Sequence, residues 1–158
     1  MGYARQAVLD AMQDKVTSII AGRDGYNYGY RFVTSDPMGA ENIGKLTFGQ
    51  ACVGIYDTSE QKHRVMGFTN ATLTVVIEFY YFPKTGEAKS DKLNKLLAEL
   101  TRALVADQTL NGTALMIEDV SNSLDIDGIY DKIINGSITF HVTYRHGLFD
   151  PTSLQLNT

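Results

Sequence analysis

The chain has little of what most enzymes, secreted proteins and nucleic-acid binders rely on. Among its 158 residues there is one cysteine, Cys52, so no internal disulfide can form. Cys52 sits in an apolar stretch, Ala51 to Ile55. A thiol nucleophile would need a histidine or a carboxylate arranged around it in space, whereas a small buried core residue needs only that stretch. No apolar run approaches the ~18 residues that cross a bilayer. The first helix-like segment carries Asp10 and Asp14 and has no cleavage-site pattern, so a signal peptide is not expected and folding inside a cell is. Basic charge is scarce and scattered: the net charge is −4, and the densest group, Lys84, Lys89, Lys92 and Lys95, is diluted by Glu87 and Asp91. Affinity for nucleic acid comes mainly from a concentrated basic face on phosphates, so direct DNA or RNA recognition is not expected. Tryptophan is absent, and nine tyrosines stand in its place.

The remaining composition is that of a folded domain. Apolar residues make up 44% and charged residues 20%, which argues against intrinsic disorder. The length suits one domain spanning 1–158 with a core that needs no staples.

Residues 3–21 predict an amphipathic helix, with Val8, Met12, Val16 and Ile19 at helical spacing and Gly22 as its stop. From about 22 to 50 the chain is irregular and predicts a long flexible loop, with a short strand at Tyr30 to Thr34. Ala51 to Asp57 predicts a strand, and Thr58-Ser59-Glu60-Gln61 a turn. Thr72 to Phe82 is the clearest strand of the chain. Leu73, Val75, Ile77, Phe79 and Tyr81 occupy one face, and Thr74, Val76, Glu78, Tyr80 and Phe82 the other. Apolar residues on both faces predict cover on both, from helices or from a neighbouring subunit.

A second amphipathic helix is expected from an N-cap at Ser90 to about Ala106. Strand-like residues follow at Thr113 to Asp119, then a polar connection to Gly128 and a short strand at Ile129 to Ile134. Asn135-Gly136 reads as a hairpin turn before a strand at Ser137 to Arg145. The tail 147–158 is expected to be loosely ordered. The fold class that results is α+β: a mostly antiparallel sheet with one very long strand, two amphipathic helices packed on it, and a long loop in the N-terminal half.

The search for chemistry returns little. His63, His141 and His146 lack metal-ligand spacing, and strand geometry sends His141 and His146 to opposite faces. Asp125-Ile126-Asp127-Gly128 resembles the start of a calcium loop, but the glycine comes too early and no glutamate closes it. The glycines at 25–29 and 39–44 match neither phosphate-binding fingerprint. No cofactor and no catalytic group are therefore assigned. Glu78 is the single acid of the long strand, readable as a buried general acid or as an ion-pair partner at a sheet edge or subunit boundary. The aromatic residues stand out more. Tyr26, Tyr28 and Tyr30, with Arg23 beside them, and Tyr80 and Phe82 at the strand end suit a contact surface, because a tyrosine buries area at low entropic cost. A core that happens to use tyrosine explains them too.

Three phrases carry a resemblance. A strand ends Ile77-Glu78-Phe79-Tyr80-Tyr81-Phe82 and runs into a Leu-rich helix. Ala103-Leu104-Val105-Ala106-Asp107-Gln108-Thr109-Leu110-Asn111-Gly112 follows. The chain then reaches Ile138-Thr139-Phe140-His141-Val142-Thr143-Tyr144-Arg145, with Asp150-Pro151 just after. Over about 70–151 this resembles the small tail terminator (tail completion) proteins of long-tailed bacteriophages. The resemblance implies a structural, non-enzymatic virion protein at the neck, assembled in the host cytoplasm. It implies a homohexameric ring on the tail tube that stops tube growth and meets the head-completion (stopper) protein, with DNA passing through its lumen. Another neck component, a head-completion or adaptor protein, is the near alternative. A small ligand-binding domain or enzyme with a pocket near Glu78 and His141 is the distant one.

Overall fold

The structure, a computed structural model, describes residues 4–26, 28–125, 132–147 and 150–154. In chain order the elements are α1 (Ala4–Thr17), β1 (Phe32–Thr34), α2 (Ala40–Gly44), β2 (Ala51–Val65) and β3 (Phe68–Tyr81). They continue with α3 (Lys89–Val105), β4 (Met116–Asp125), β5 (Ile134–Gly147) and β6 (Asp150–Leu154). The sheet order is β1-β2-β3-β5-β4, with β6 also paired to β5. Every pairing is antiparallel except that of β1 with β2. The fold is α+β.

The two-residue period of β3 decides the layers. Leu73, Val75, Ile77, Phe79 and Tyr81 are buried on one face, in register with Val142, Phe140, Ile138, Gly136 and Ile134 of β5. Onto this face α1 brings Val8, Met12 and Val16, and α3 brings Leu93, Leu96, Leu100 and Leu104. Each such side chain contributes roughly 1.5–3 kcal/mol by leaving water. The opposite face is covered at one end only. There Met38, Ile43 and Leu46, around α2, pack on Cys52, Tyr80 and Ile133. Burial pushes the Cys52 thiol up to about 12, so it is a core residue rather than a nucleophile.

Several expectations are corrected. The first helix stops at Thr17, not near Gly22, where Ser18 turns its hydroxyl onto the Lys15 carbonyl at 2.7 Å. In the stretch expected as a loop over 22–50 the short strand is present as β1, starting at Phe32 rather than Tyr30, and the unexpected element is the helix α2, because Met38, Ile43 and Leu46 have a second small core to fill. No turn forms at Thr58 to Gln61. There β2 carries a bulge between Asp57 and Ser59 and continues to Val65, and the chain reverses at Met66 and Gly67, whose φ is +85°. This stretch is polar because it is an exposed arm, not because it bends. At its far end β3 starts four residues earlier than expected, at Phe68, and spans ~46 Å. Ser90 lies inside α3, whose N-cap is Ala88. The strand expected from Thr113 begins at Met116, and the supposed polar connection from Ser121 is strand as far as Asp125. The tail contributes β6. The short strand expected at Ile129 and the calcium-like turn after Asp125 fall largely outside the described residues.

Asn135-Gly136 is no hairpin; it lies inside β5. A Cβ at 136 would stand 2.6 Å from the Phe79 ring, 2.8 Å from Leu124 Cδ2 and 2.9 Å from the Ser123 carbonyl. Glycine is there to let the Phe79 ring lie on the backbone of β5. Gly136→Ala is expected to destabilise the protein by about 1–3 kcal/mol through overpacking. Urea unfolding measures this, and an unchanged midpoint would contradict the packing account.

Candidate interaction surface

The loop tyrosines are drawn inward. A turn closed by Gly22 N–H on the Tyr26 carbonyl (2.7 Å) lays Tyr26 under the Arg102 guanidinium, 4.0 Å from the ring centre. Arg102 also donates to the Asp24 carbonyl at 3.0 Å. The Tyr28 ring meets Tyr81 edge-on at 5.7 Å, and its N–H donates to the buried Glu99 carboxylate at 3.2 Å. Tyr30 packs on the core, and burial together with the nearby Glu99 raises its pKa far above the ordinary value. These three tyrosines strap the loop to α3 and keep only part of each ring outward. Arg23 is exposed at the turn. The partners on α3, Glu99 and Arg102, carry no signal in the sequence beyond being polar residues on a helix.

Glu78, Tyr80 and Phe82 share the second face of the sheet, as alternation requires. Glu78 accepts hydrogen bonds from the Tyr80 hydroxyl (2.8 Å) and the Tyr56 hydroxyl. Burial and this contact push Tyr56 up to about 12. Tyr80 is buried under the α2 segment, and Phe82 meets Phe48 edge-on at 4.6 Å. Glu78 therefore marks the boundary where the cover from α2 ends. Beyond it the face stays open and hydroxyl-rich: Thr72 faces Thr143 at 3.4 Å, and Ser123 faces Ser137 at 3.1 Å. Arg145 closes the row, bonded to Asn70 at 2.9 Å and lying 4.1 Å over the Phe68 ring. His141 is on this face but opposite Thr74, whereas Glu78 is opposite Ser137. Four residues of strand separate the two rows, ~13 Å, so they do not meet in one pocket.

No protein-family model matches the chain, and no curated protein is similar to it in sequence. The site must be read from its own geometry. Among the described residues no group of three or more His, Cys, Asp or Glu side chains could hold a metal ion. No described helix is long and apolar enough to cross a membrane. A hollow bordered by Tyr28, Tyr81, Lys84, Glu87, Lys92 and Lys95 is basic by composition, but Lys92 is paired with Glu87 at 3.3 Å and Lys95 with Asp91 at 3.0 Å.

The opposite end of the sheet has its own polar anchor. The bulge in β2 turns both Asp57 and Glu60 to the helix face, where Arg5 of α1 reaches them at 2.5 and 2.8 Å. The Tyr144 hydroxyl donates to the same Glu60. Past this anchor β2 runs on as an exposed edge arm with Lys62, His63 and Arg64 exposed and Met66 at the hairpin tip 96% exposed, while β3 beside it stays paired with β5.

Tyr30, Tyr56, Tyr81 and Tyr144 all have pKa values raised above the ordinary 10, by burial first and then by the carboxylates beside them. The native state holds these protons more tightly than the unfolded chain does. Their contribution is therefore complete below pH 10 and is lost as pH rises through 12 and above. In an alkaline absorbance titration, these four of the nine tyrosines are expected to ionise late and together with unfolding. Ionisation of all nine near pH 10 in a still-folded protein would refute the assignment.

Proposed function

We propose that this protein is a structural part of a phage neck, a tail terminator that forms a homohexameric ring on the head-proximal end of the tail tube. The observation that carries the reading is where the family-like phrases fall. They lie on β3, on α3 with the turn after it, and on β5, which share one core rather than being scattered surface segments. The open sheet face adds support. It is rich in hydroxyls and poor in lysine, which suits a surface that contacts protein or lines a passage without gripping phosphate. In this reading the ring stops tube growth, offers its other side to the head-completion protein, and lets DNA through its lumen without recognising sequence.

Negative-stain electron microscopy of the concentrated protein tests the ring, with six-fold class averages around a central hole expected. Adding the protein to polymerising tail tube protein tests the role. Tubes should stop shorter and carry density at one end only. Binding to the portal side with no effect on tubes would reassign the protein to another neck position. A protein that forms no rings and binds no tubes would sink the proposal.

A further inference from the structure

The two edges of the sheet are both unfinished. At one edge β1 covers only Cys52 to Gly54 of β2. From Tyr56 to Val65 no described strand pairs with the outer side of β2. At the other edge β4, 10 residues long, pairs only with β5 among the described residues. Open edges of this length invite pairing, and charge is the usual means of controlling it. Here the charges are of opposite sign. The β2 edge exposes Lys62, His63 and Arg64, and the β4 edge exposes Glu118 and Asp119. Lys62, His63, Glu118 and Asp119 enter no ion pair among the described residues. Pairing β2 with β2, or β4 with β4, would set like charges opposite each other; pairing β2 with β4 matches them.

We propose that β4 of one copy pairs with the β2 arm of the next, so that the sheet runs on from subunit to subunit. This rests on the ring-forming reading above and names the contact that builds the ring. Strand direction permits it. Three antiparallel steps, β2 to β3 to β5 to β4, leave β4 antiparallel to β2. A neighbour placed beside the sheet in the same orientation therefore presents an antiparallel partner. Such a head-to-tail contact closes into a ring by rotation.

The register follows from the faces. Lys62 is opposite Ala71 and Asp119 opposite Phe140, so both point to the helix-covered side. His63 is opposite Asn70 and Glu118 opposite His141, so both point to the open side. Setting Lys62 against Asp119 brings His63 against Glu118, Arg64 against Ile117 and Val65 against Met116. One pair is then of opposite charge, one sets an imidazole against a carboxylate and one is apolar, and neither bulge falls within the block. A slip of one residue would exchange the faces. A slip of two in one direction sets Glu60 against Asp119, and in the other sets Val65 against Glu118.

Paired cysteines test this contact. Of two adjacent cross-strand pairs, one is the closely spaced, non-hydrogen-bonded kind that a disulfide can bridge. The variants are Lys62→Cys/Asp119→Cys and His63→Cys/Glu118→Cys; native Cys52 is buried and does not interfere. Under mild oxidation at least one double variant should give a ladder of covalent multimers that thiol collapses to monomer, while single variants stop at dimer. In parallel, Lys62→Glu should abolish assembly in sizing chromatography, and adding Asp119→Lys should restore it. Six-fold rings that give no ladder and ignore the charge reversal would overturn the edge contact and leave the ring standing. Monomers that neither assemble nor cross-link would overturn both.

Discussion

Everything in the structure depends on the pairing of β3 with β5. Both strands are 14 residues long, and they remain in register without a bulge from Phe68 against Gly147 to Tyr81 against Ile134. An unbroken antiparallel pair keeps one strict alternation over its whole length, so a single choice of face fixes the environment of every residue on both strands. That choice gives α1 and α3 a continuous apolar bed, and it explains why Gly136 has to be glycine. The Phe79 ring needs the room, and a slip of one residue would turn the core outward.

The second face is a compromise that the same pair imposes. It alternates with the core and is mixed in character, apolar at one end and polar at the other. The apolar end, with Tyr80 and Phe82, is closed by the α2 segment; the polar end is left open. Glu78 stands between the two and is satisfied by the hydroxyls of Tyr56 and Tyr80. A carboxylate between two tyrosine hydroxyls on a half-covered face is a structural seam, and this accounts for an acid in the middle of a strand without invoking proton transfer.

How much of this was legible in the sequence depended on whether the signal was local. The two faces of β3, the amphipathic helices and the α+β class follow from periodicity, which is written in consecutive residues. The β2 arm was misread because an exposed strand with polar residues on both faces has the composition of a turn. Asn135-Gly136 was misread for the complementary reason: a dipeptide with strong turn chemistry is overruled when a partner strand and a ring across the sheet claim the position. The contact residues fared in the same way. Glu78, Tyr80 and Phe82 were placed correctly on one face by alternation. That the loop tyrosines are held by Glu99 and Arg102, some seventy residues away (Tyr28 to Glu99 spans 71), is a long-range fact that no local pattern encodes.

The bulge between Asp57 and Ser59 divides β2 into a covered half and an exposed half. By placing Asp57 and Glu60 on one face it creates the double acceptor for Arg5. Beyond Glu60, Gln61 to Arg64 are exposed and contribute little to the core. Extended chain that buries so little is held by ladder hydrogen bonds against a substantial loss of backbone entropy, roughly 1–2 kcal/mol per residue. The strand beside it is different, because Ala71 and Thr69, opposite Lys62 and Arg64, are buried. What lies open is the outer edge of β2, and a neighbouring sheet edge of matching length and opposite charge is the partner that its chemistry fits.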